Sequence, residues 1–304
     1  MSLLDNAKVL LTDVTGRDGF QMEDWIETED KVHIINEIIA AGVKRIEATS
    51  FVSPKAVPQL KDAKEVIKQI NRENVSVIAL IPNVKGAEFA LESDIDEVNV
   101  VVSVSETHNR KNGHKTVNES VTGIMEIYRL MESSGKKVNI GLATTFGCPF
   151  EGIYEVDRVT EVMKKLTANG LSSFMLADTT GMANPLQVSN FIESLKEDFP
   201  DVDLSLHLHN TRGMGMANIL AGYHSGIRSF DASLGGIGGC PFAPGATGNV
   251  SLEDVAHMFD QMNIPIDPNL NKLITAAKKL EKVLGYKLPG QVMKAGLSTD
   301  MHKV

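Results

Sequence analysis

Val9-Leu10-Leu11-Thr12-Asp13-Val14, followed by Thr15-Gly16-Arg17-Asp18-Gly19, is the stretch whose reading decides the fold. The first six residues read as a short β-branched strand. In an open doubly wound sheet, the turn after such a strand usually carries Gly-x-Gly-x-x-Gly, which lets backbone approach a pyrophosphate. Thr15-Gly16-Arg17-Asp18-Gly19 does not match that pattern, and it offers a charged pair instead.

Working outward, seven further strand candidates lie at 45–50, 75–81, 97–104, 138–143, 173–178, 204–209 and 229–234. Helix-period segments fall between them, including 28–41, 54–71, 120–133, 154–168, 185–197 and 214–225. Pro54 and Pro185 sit near first-turn positions, and Gly42, Gly135 and Gly170 stand just past helix ends. Eight strand-then-helix units predict an α/β fold, a single (β/α)8 TIM barrel, over residues 1–262. No Pro-, Gly- or Ser-rich linker divides it. Helices at 252–262 and 270–284 follow the last strand, and residues 263–304 read as a C-terminal helical extension packed on the barrel or on a partner subunit.

The 304 residues are 42% hydrophobic and 23% charged, which excludes disorder, collagen-like repeats and a small disulfide scaffold. A net charge of -9 gives no general attraction to nucleic acid or to anionic membranes, so a phosphate-bearing ligand must be held by local groups. Apolar runs such as 98–102 fall far short of the roughly 20 residues that cross a bilayer. Cys148 and Cys240 are far apart, and Met1-Ser2-Leu3-Leu4-Asp5 opens no secretory or Arg-rich transit segment. A cytoplasmic protein without membrane or nucleic-acid partners is expected.

Chemistry in a parallel barrel gathers at the carboxyl ends of the strands. Arg17, Asp18 and Gln21 follow strand one, Glu47 lies on strand two, Asp178 and Thr179 end strand six, His207 and His209 end strand seven, and Cys240 and Asn249 follow strand eight. His207-Leu208-His209 is the most informative, because residues i and i+2 of a strand share a face and two imidazoles can meet one ion. The plainer alternative is two separately hydrogen-bonded core histidines. Asp18, from a strand adjacent to strand eight once the barrel closes, and the amide oxygen of Asn249 complete a mixed nitrogen and oxygen set suited to Mg2+ or Mn2+. The Gly-rich stretch 235–249 lacks the Gly-Lys-Ser/Thr of a nucleotide loop and reads as a mobile loop carrying the Cys240 thiol, whereas Cys148 reads as a small buried residue. Basic residues in 103–115 either meet phosphate or carboxylate oxygens or belong to a solvated, helix-initiating loop.

These residues resemble the 3-hydroxy-3-methylglutaryl-CoA lyase family, within the superfamily of metal-dependent lyases and condensing enzymes built on (β/α)8 barrels. The most specific match is Gly-Gly-Cys-Pro-Phe-Ala-Pro-Gly-Ala-x-Gly-Asn at 238–249, a lyase loop signature that condensing relatives such as isopropylmalate synthase lack. Arg17-Asp18-Gly19 with Gln21, Ile46-Glu47-x-Thr49-Ser50-Phe51-Val52-Ser53-Pro54-Lys55, Gly147-Cys148-Pro149, Asp178-Thr179 with Gly181, and His207-x-His209 agree with it. The resemblance implies that Asp18, His207, His209 and Asn249 bind Mg2+ or Mn2+. It implies that Arg17 stabilises an enolate, Glu47 supports the metal region, Cys240 joins acid/base chemistry, and Asp178 and Glu253 complete the polar shell. His207 and Asp18 count among the catalytic residues as well as the ligands.

The implied reaction is cleavage of a 3-hydroxyacyl-CoA to acetyl-CoA and a keto acid; separately, the helical tail at 270–284 leads us to expect a homodimer or higher homo-oligomer. The family's Asn is replaced by Met22, and Asn210 and Arg212 depart from its Asp-Thr-Tyr pattern, so Phe20, Met22 and Arg212 are expected to reshape the acyl pocket. A Claisen-type condensing enzyme, toward which Asn210 leans, and a non-catalytic CoA- or metal-binding barrel are the competing readings.

Overall fold

The computed structural model describes residues 7–239 and 248–301. Its strands are β1 (Leu10–Asp13), β2 (Arg45–Ser50), β3 (Ser76–Leu80), β4 (Glu97–Ser103), β5 (Lys137–Ala143), β6 (Ser173–Asp178), β7 (Asp203–Leu208) and β8 (Ser229–Ala232). The intervening helices are α1 (Thr28–Ala40), α2 (Ala63–Gln69), α3 (Val84–Leu91), α4 (Glu106–Gly113), α5 (Val117–Glu132), α6 (Asp157–Thr167), α7 (Pro185–Asp198) and α8 (Gly215–His224). After β8 come α9 (Leu252–Gln261), α10 (Leu270–Leu284) and α11 (Val292–Ala295). The strands pair in chain order and β8 returns in parallel to β1, which closes the expected (β/α)8 TIM barrel and leaves no sheet edge unpaired.

Strand alternation divides the side chains between two environments. On β7, Leu206 and Leu208 are fully buried beneath the helices, and Leu206 lies so near α8 that a Cβ on Gly222 would come within 2.2 Å of it. Burial of such side chains contributes roughly 1.5–3 kcal/mol each. Ser205 and His207 turn the other way, toward the barrel axis. That axis, usually filled with Val, Ile and Leu, is strongly polar here. At its amino end Arg45 pairs with Glu97 at 2.7 Å and donates to Thr12 at 3.0 Å, while Ser76 donates to Glu97 at 2.9 Å. Buried Glu97 and Thr12 are thereby satisfied across strands by the part-buried Arg45 and Ser76.

Two parts of the local reading change. The expected helix 54–71 is a turn on Ser53, a short helical turn at Pro58–Leu60, and then α2. Pro58, rather than Pro54, takes the first-turn position. The polar segment 103–115, expected as a loop, instead carries a helix of its own, α4, capped where Ser105 accepts the His108 amide at 3.1 Å.

In α10, Leu270, Leu273, Ile274, Ala277 and Leu280 form a buried stripe, and the helix packs on α1. Lys279 bridges the two helices to Glu37 at 2.7 Å. Asp254 of α9 accepts the amides of Gln291 and Val292 at 2.9 and 2.7 Å, tying α11 to the barrel. Among the described residues no helix is long and apolar enough to cross a membrane.

Candidate active site

Val14 O, just after β1, accepts the amides of Arg17, Asp18 and Gly19 at 3.2, 2.8 and 3.1 Å, coiling Thr15–Gly19 into one tight turn. Only glycine fits at 16, because a Cβ there would lie 2.5 Å from the Ala48 carbonyl oxygen of β2. The close approach brings Arg17 against β2. Its Nε donates to Glu47 Oε2 and its Nη1 to Asp18 Oδ1, with all three side chains buried. Nη2 makes no hydrogen bond to another described residue. Asp18 further accepts from Gln21 Nε2 at 2.8 Å and from Asn249 Nδ2 at 2.6 Å.

The end of β7 supplies the imidazoles. Asp231 Oδ2 of β8 lies 3.2 Å from His207 Nδ1, which sets the ring proton there and leaves Nε2 with its lone pair. His207 Nε2 and His209 Nε2 stand 3.1 Å apart, and His209 Nε2 is 3.6 Å from Asp18 Oδ2. Ligand atoms of Asp18, His207 and His209 all lie within 4.8 Å of one another. Asn249 arrives on a segment that continues the pairing of β7, with Asn210 N donating to Gly248 O at 2.9 Å and Val250 N to Leu208 O at 3.2 Å. Its Nδ2 also donates to Ile237 O at 3.0 Å, and its buried Oδ1 has no partner among the described residues.

The electrostatics favour a cation. Burial pushes the Asp18 carboxyl up, but Arg17 first, then His209 and His207, outweigh it and hold it at about 2. Burial lowers His209 to about 4, so it is neutral, and its Nδ1 has no partner among the described residues. For His207, burial works against the charged ring, but Asp231 and Asp18 reverse the balance and raise it. Arg17 is driven above its ordinary value because Glu47 and Asp18 overcome the cost of burial. Neighbouring ligands of an octahedral ion at about 2.1 Å are about 3 Å apart, close to the separation of the two Nε2 atoms. Asn249, which reaches Asp18 through Nδ2, carries a further oxygen, Oδ1, that accepts from no described group. These residues therefore fit a hard divalent cation.

A cavity of about 490 Å³ opens over this cluster, lined by Arg17, Asp18, His207 and His209, with Val101 and Met175 among its apolar walls. Thr179 and Gln21 line it too. Asp178 lies at the end of β6, but its two oxygens accept the amides of Met182 and Ala183 at 2.8 and 3.1 Å, and burial raises it to about 6. Glu253, at the start of α9, is fully buried and does not line the cavity; it accepts the Gly235 amide at 3.0 Å, and burial raises it to about 7. Cys240 lies outside the described residues. Cys148 is buried and accepts from Ser105 Oγ at 3.0 Å, in keeping with the structural role expected of it.

The expected reshaping of the acyl pocket does not occur through the substituted neighbours. Phe20 is buried in the hydrophobic core, Met22 is exposed, and neither lines the cavity. Arg212 is committed to the carbonyls of Thr180 and Gly181, each at 2.9 Å, and Asn210 accepts the Gly215 amide at 3.0 Å. In α4, Arg110 pairs with Glu106 and Lys111 lies over the Phe150 ring, while Lys115, just past the helix, lines the cavity. Sequence reasoning missed Asp231, Asn99 and Asn139. Their only sign is a polar residue at an alternating position within an apolar strand.

The model of the HMGL-like family matches residues 8–280. The hydroxymethylglutaryl-CoA lyase YngG of Bacillus subtilis is 43% identical over 286 residues, 93% of this chain and 96% of that one. The (R)-citramalyl-CoA lyase of Chloroflexus aurantiacus is 39% identical over 300 residues, 95% of each. The solved HMG-CoA lyase of Acinetobacter baumannii, in complex with coenzyme A and 3-methylmalate, superposes with a TM-score of 0.94 at 42% identity and covers 100% of both chains.

Proposed function

Because this chain belongs to the HMGL-like family, we propose that it is a divalent-metal-dependent carbon–carbon lyase. It cleaves 3-hydroxy-3-methylglutaryl-CoA, or a related 3-hydroxyacyl-CoA, to acetyl-CoA and acetoacetate or the corresponding keto acid. The observation that carries this reading is the meeting of Asp18, His207 and His209 beside Arg17 at one cavity.

Asp18, His207, His209 and Asn249 would hold Mg2+ or Mn2+, Asn249 through its amide oxygen. When bound, the ion supplies Lewis acidity to substrate oxygens and lowers the pKa of the 3-hydroxyl. A base takes the hydroxyl proton as the C2–C3 bond breaks, while Arg17 keeps Asp18 ionised toward the cation. The electron pair moves onto the thioester, and Arg17, with Nη2 uncommitted, donates to the developing enolate oxygen. Cys240 delivers the proton that converts the enolate to acetyl-CoA; this role rests on the family resemblance. Glu47 fixes Arg17 through its Nε. Asp178 and Glu253 hold the loops after β6 and β8. The same proposal takes residues 1–262 as the catalytic barrel and 263–304 as its extension, in a cytoplasmic homo-oligomer.

The test is incubation of the purified protein with Mn2+ or Mg2+ and a panel of 3-hydroxyacyl-CoA thioesters. Acetyl-CoA should form from at least one of them, and the Cys240→Ser protein should turn over far more slowly with unchanged metal content. Absence of acetyl-CoA from every thioester, or release of free CoA from acetyl-CoA and a keto acid, overturns the lyase assignment.

A further inference from the structure

We propose that Asn99 is a positioning residue for this reaction: through Glu47 it fixes the guanidinium of Arg17, and Asn139 and Ser173 fix Asn99 in turn. The proposal rests on the lyase reading for its kinetic consequence and on the barrel interior for its geometry.

Four side chains from four strands form one hydrogen-bonded line beneath the site. Ser173 Oγ of β6 donates to Asn139 Oδ1 of β5 at 2.8 Å, and Asn139 Nδ2 donates to Asn99 Oδ1 of β4 at 2.9 Å. Asn99 Nδ2 donates to Glu47 Oε1 of β2 at 2.7 Å, which leaves Oε2 for Arg17 Nε. Glu47, Asn99 and Asn139 are 0%, 2% and 3% exposed, so water does not compete for these bonds.

Every donor in the line points toward Glu47. Turning the Asn99 amide over would set its oxygen against the Glu47 carboxylate and its NH2 against the NH2 of Asn139, so Asn139 selects the orientation that Glu47 needs. A carboxylate held at one oxygen only is free to swing about its broad terminal torsion, whereas one held at both oxygens is not. Arg17 inherits that constraint through Nε. A barrel interior is ordinarily packed with aliphatic side chains, so packing alone does not call for two buried amides here. What the amides add over an aliphatic pair is a directed hydrogen bond to the residue that orients Arg17.

The experiment compares Asn99→Val, Asn139→Val and the double variant with the parent protein, using 3-hydroxy-3-methylglutaryl-CoA and Mn2+. Expected for Asn99→Val is a fall in kcat of about ten- to a hundredfold, the scale of misplacing a catalytic group by an ångström. KM should stay within roughly twofold, because ground-state binding is not what is lost. Asn139→Val should cost less, and should cost nothing further once Asn99 is already Val. A crystal structure of Asn99→Val should show the Arg17 guanidinium rotated from the Glu47 carboxylate.

Full kcat in Asn99→Val, effects of the two substitutions that multiply, or an unmoved Arg17 would each overturn the proposal. If Asn99→Val does not fold, Asn139→Val and Ser173→Ala carry the same comparison, and kcat unchanged in both overturns it. A parent protein that cleaves no thioester defeats the lyase assignment, and the Arg17 position still decides the structural half of this one.

Discussion

His207 is held by a single carboxylate. Asp231 accepts from its Nδ1 at 3.2 Å, and no other described group reaches that nitrogen. Loss of the carboxylate frees the ring to rotate and removes the acceptor that keeps the proton off Nε2. Asp231→Ala is therefore expected to weaken Mn2+ binding by about ten- to a hundredfold, measured by titration calorimetry, with the fold retained by circular dichroism. Unaltered affinity would show that the ring is oriented by something else. The two histidines were legible in the sequence because strand period alone puts residues 207 and 209 on one face. Asp231 was not, since Phe230-Asp231-Ala232 says only that the Asp faces away from Phe230, and its partner is 24 residues distant.

At the scale of elements, the loop after β8 depends on a buried acid. Glu253 on α9 accepts the Gly235 amide, and its other oxygen has no hydrogen bond to a described group. Burial raises its pKa from 4.5 to about 7. The folded protein then binds this proton more tightly than the unfolded chain does. Its contribution is fully present below about pH 4.5 and is lost as pH rises through 7. Glu253→Gln cannot acquire the charge, so its melting temperature relative to the parent should rise between pH 5 and pH 8 and level off above that. The ceiling is roughly 3 kcal/mol. A difference that stays constant with pH, measured by scanning calorimetry, would mean that Glu253 is not charged at a buried site. The same scale shows where local pattern fails: α2 starts late because Ser53 O captures the amides of Ala56 and Val57, a turn that the apolar period of 54–71 conceals.

Across the whole molecule, the order of elements was readable because eight strand-then-helix units leave few ways to close a parallel sheet. The polar interior was not readable, since a lone Asn in a strand of valines shows no preference for either face until the register of four strands is known. The proposed ion joins what the chain keeps far apart: Asp18 after β1, the two histidines at the end of β7, and Asn249 before α9. A ligand that binds only the folded arrangement stabilises it by mass action, about 2.7 kcal/mol at a hundred times its dissociation constant. Adding Mn2+ to chelator-treated protein should accordingly raise the melting temperature, on the order of 5 °C. His209→Ala should remove most of that rise while keeping a similar melting temperature in chelator. If the parent melts identically with and without the metal, these side chains do not gather an ion, and their convergence serves the barrel alone.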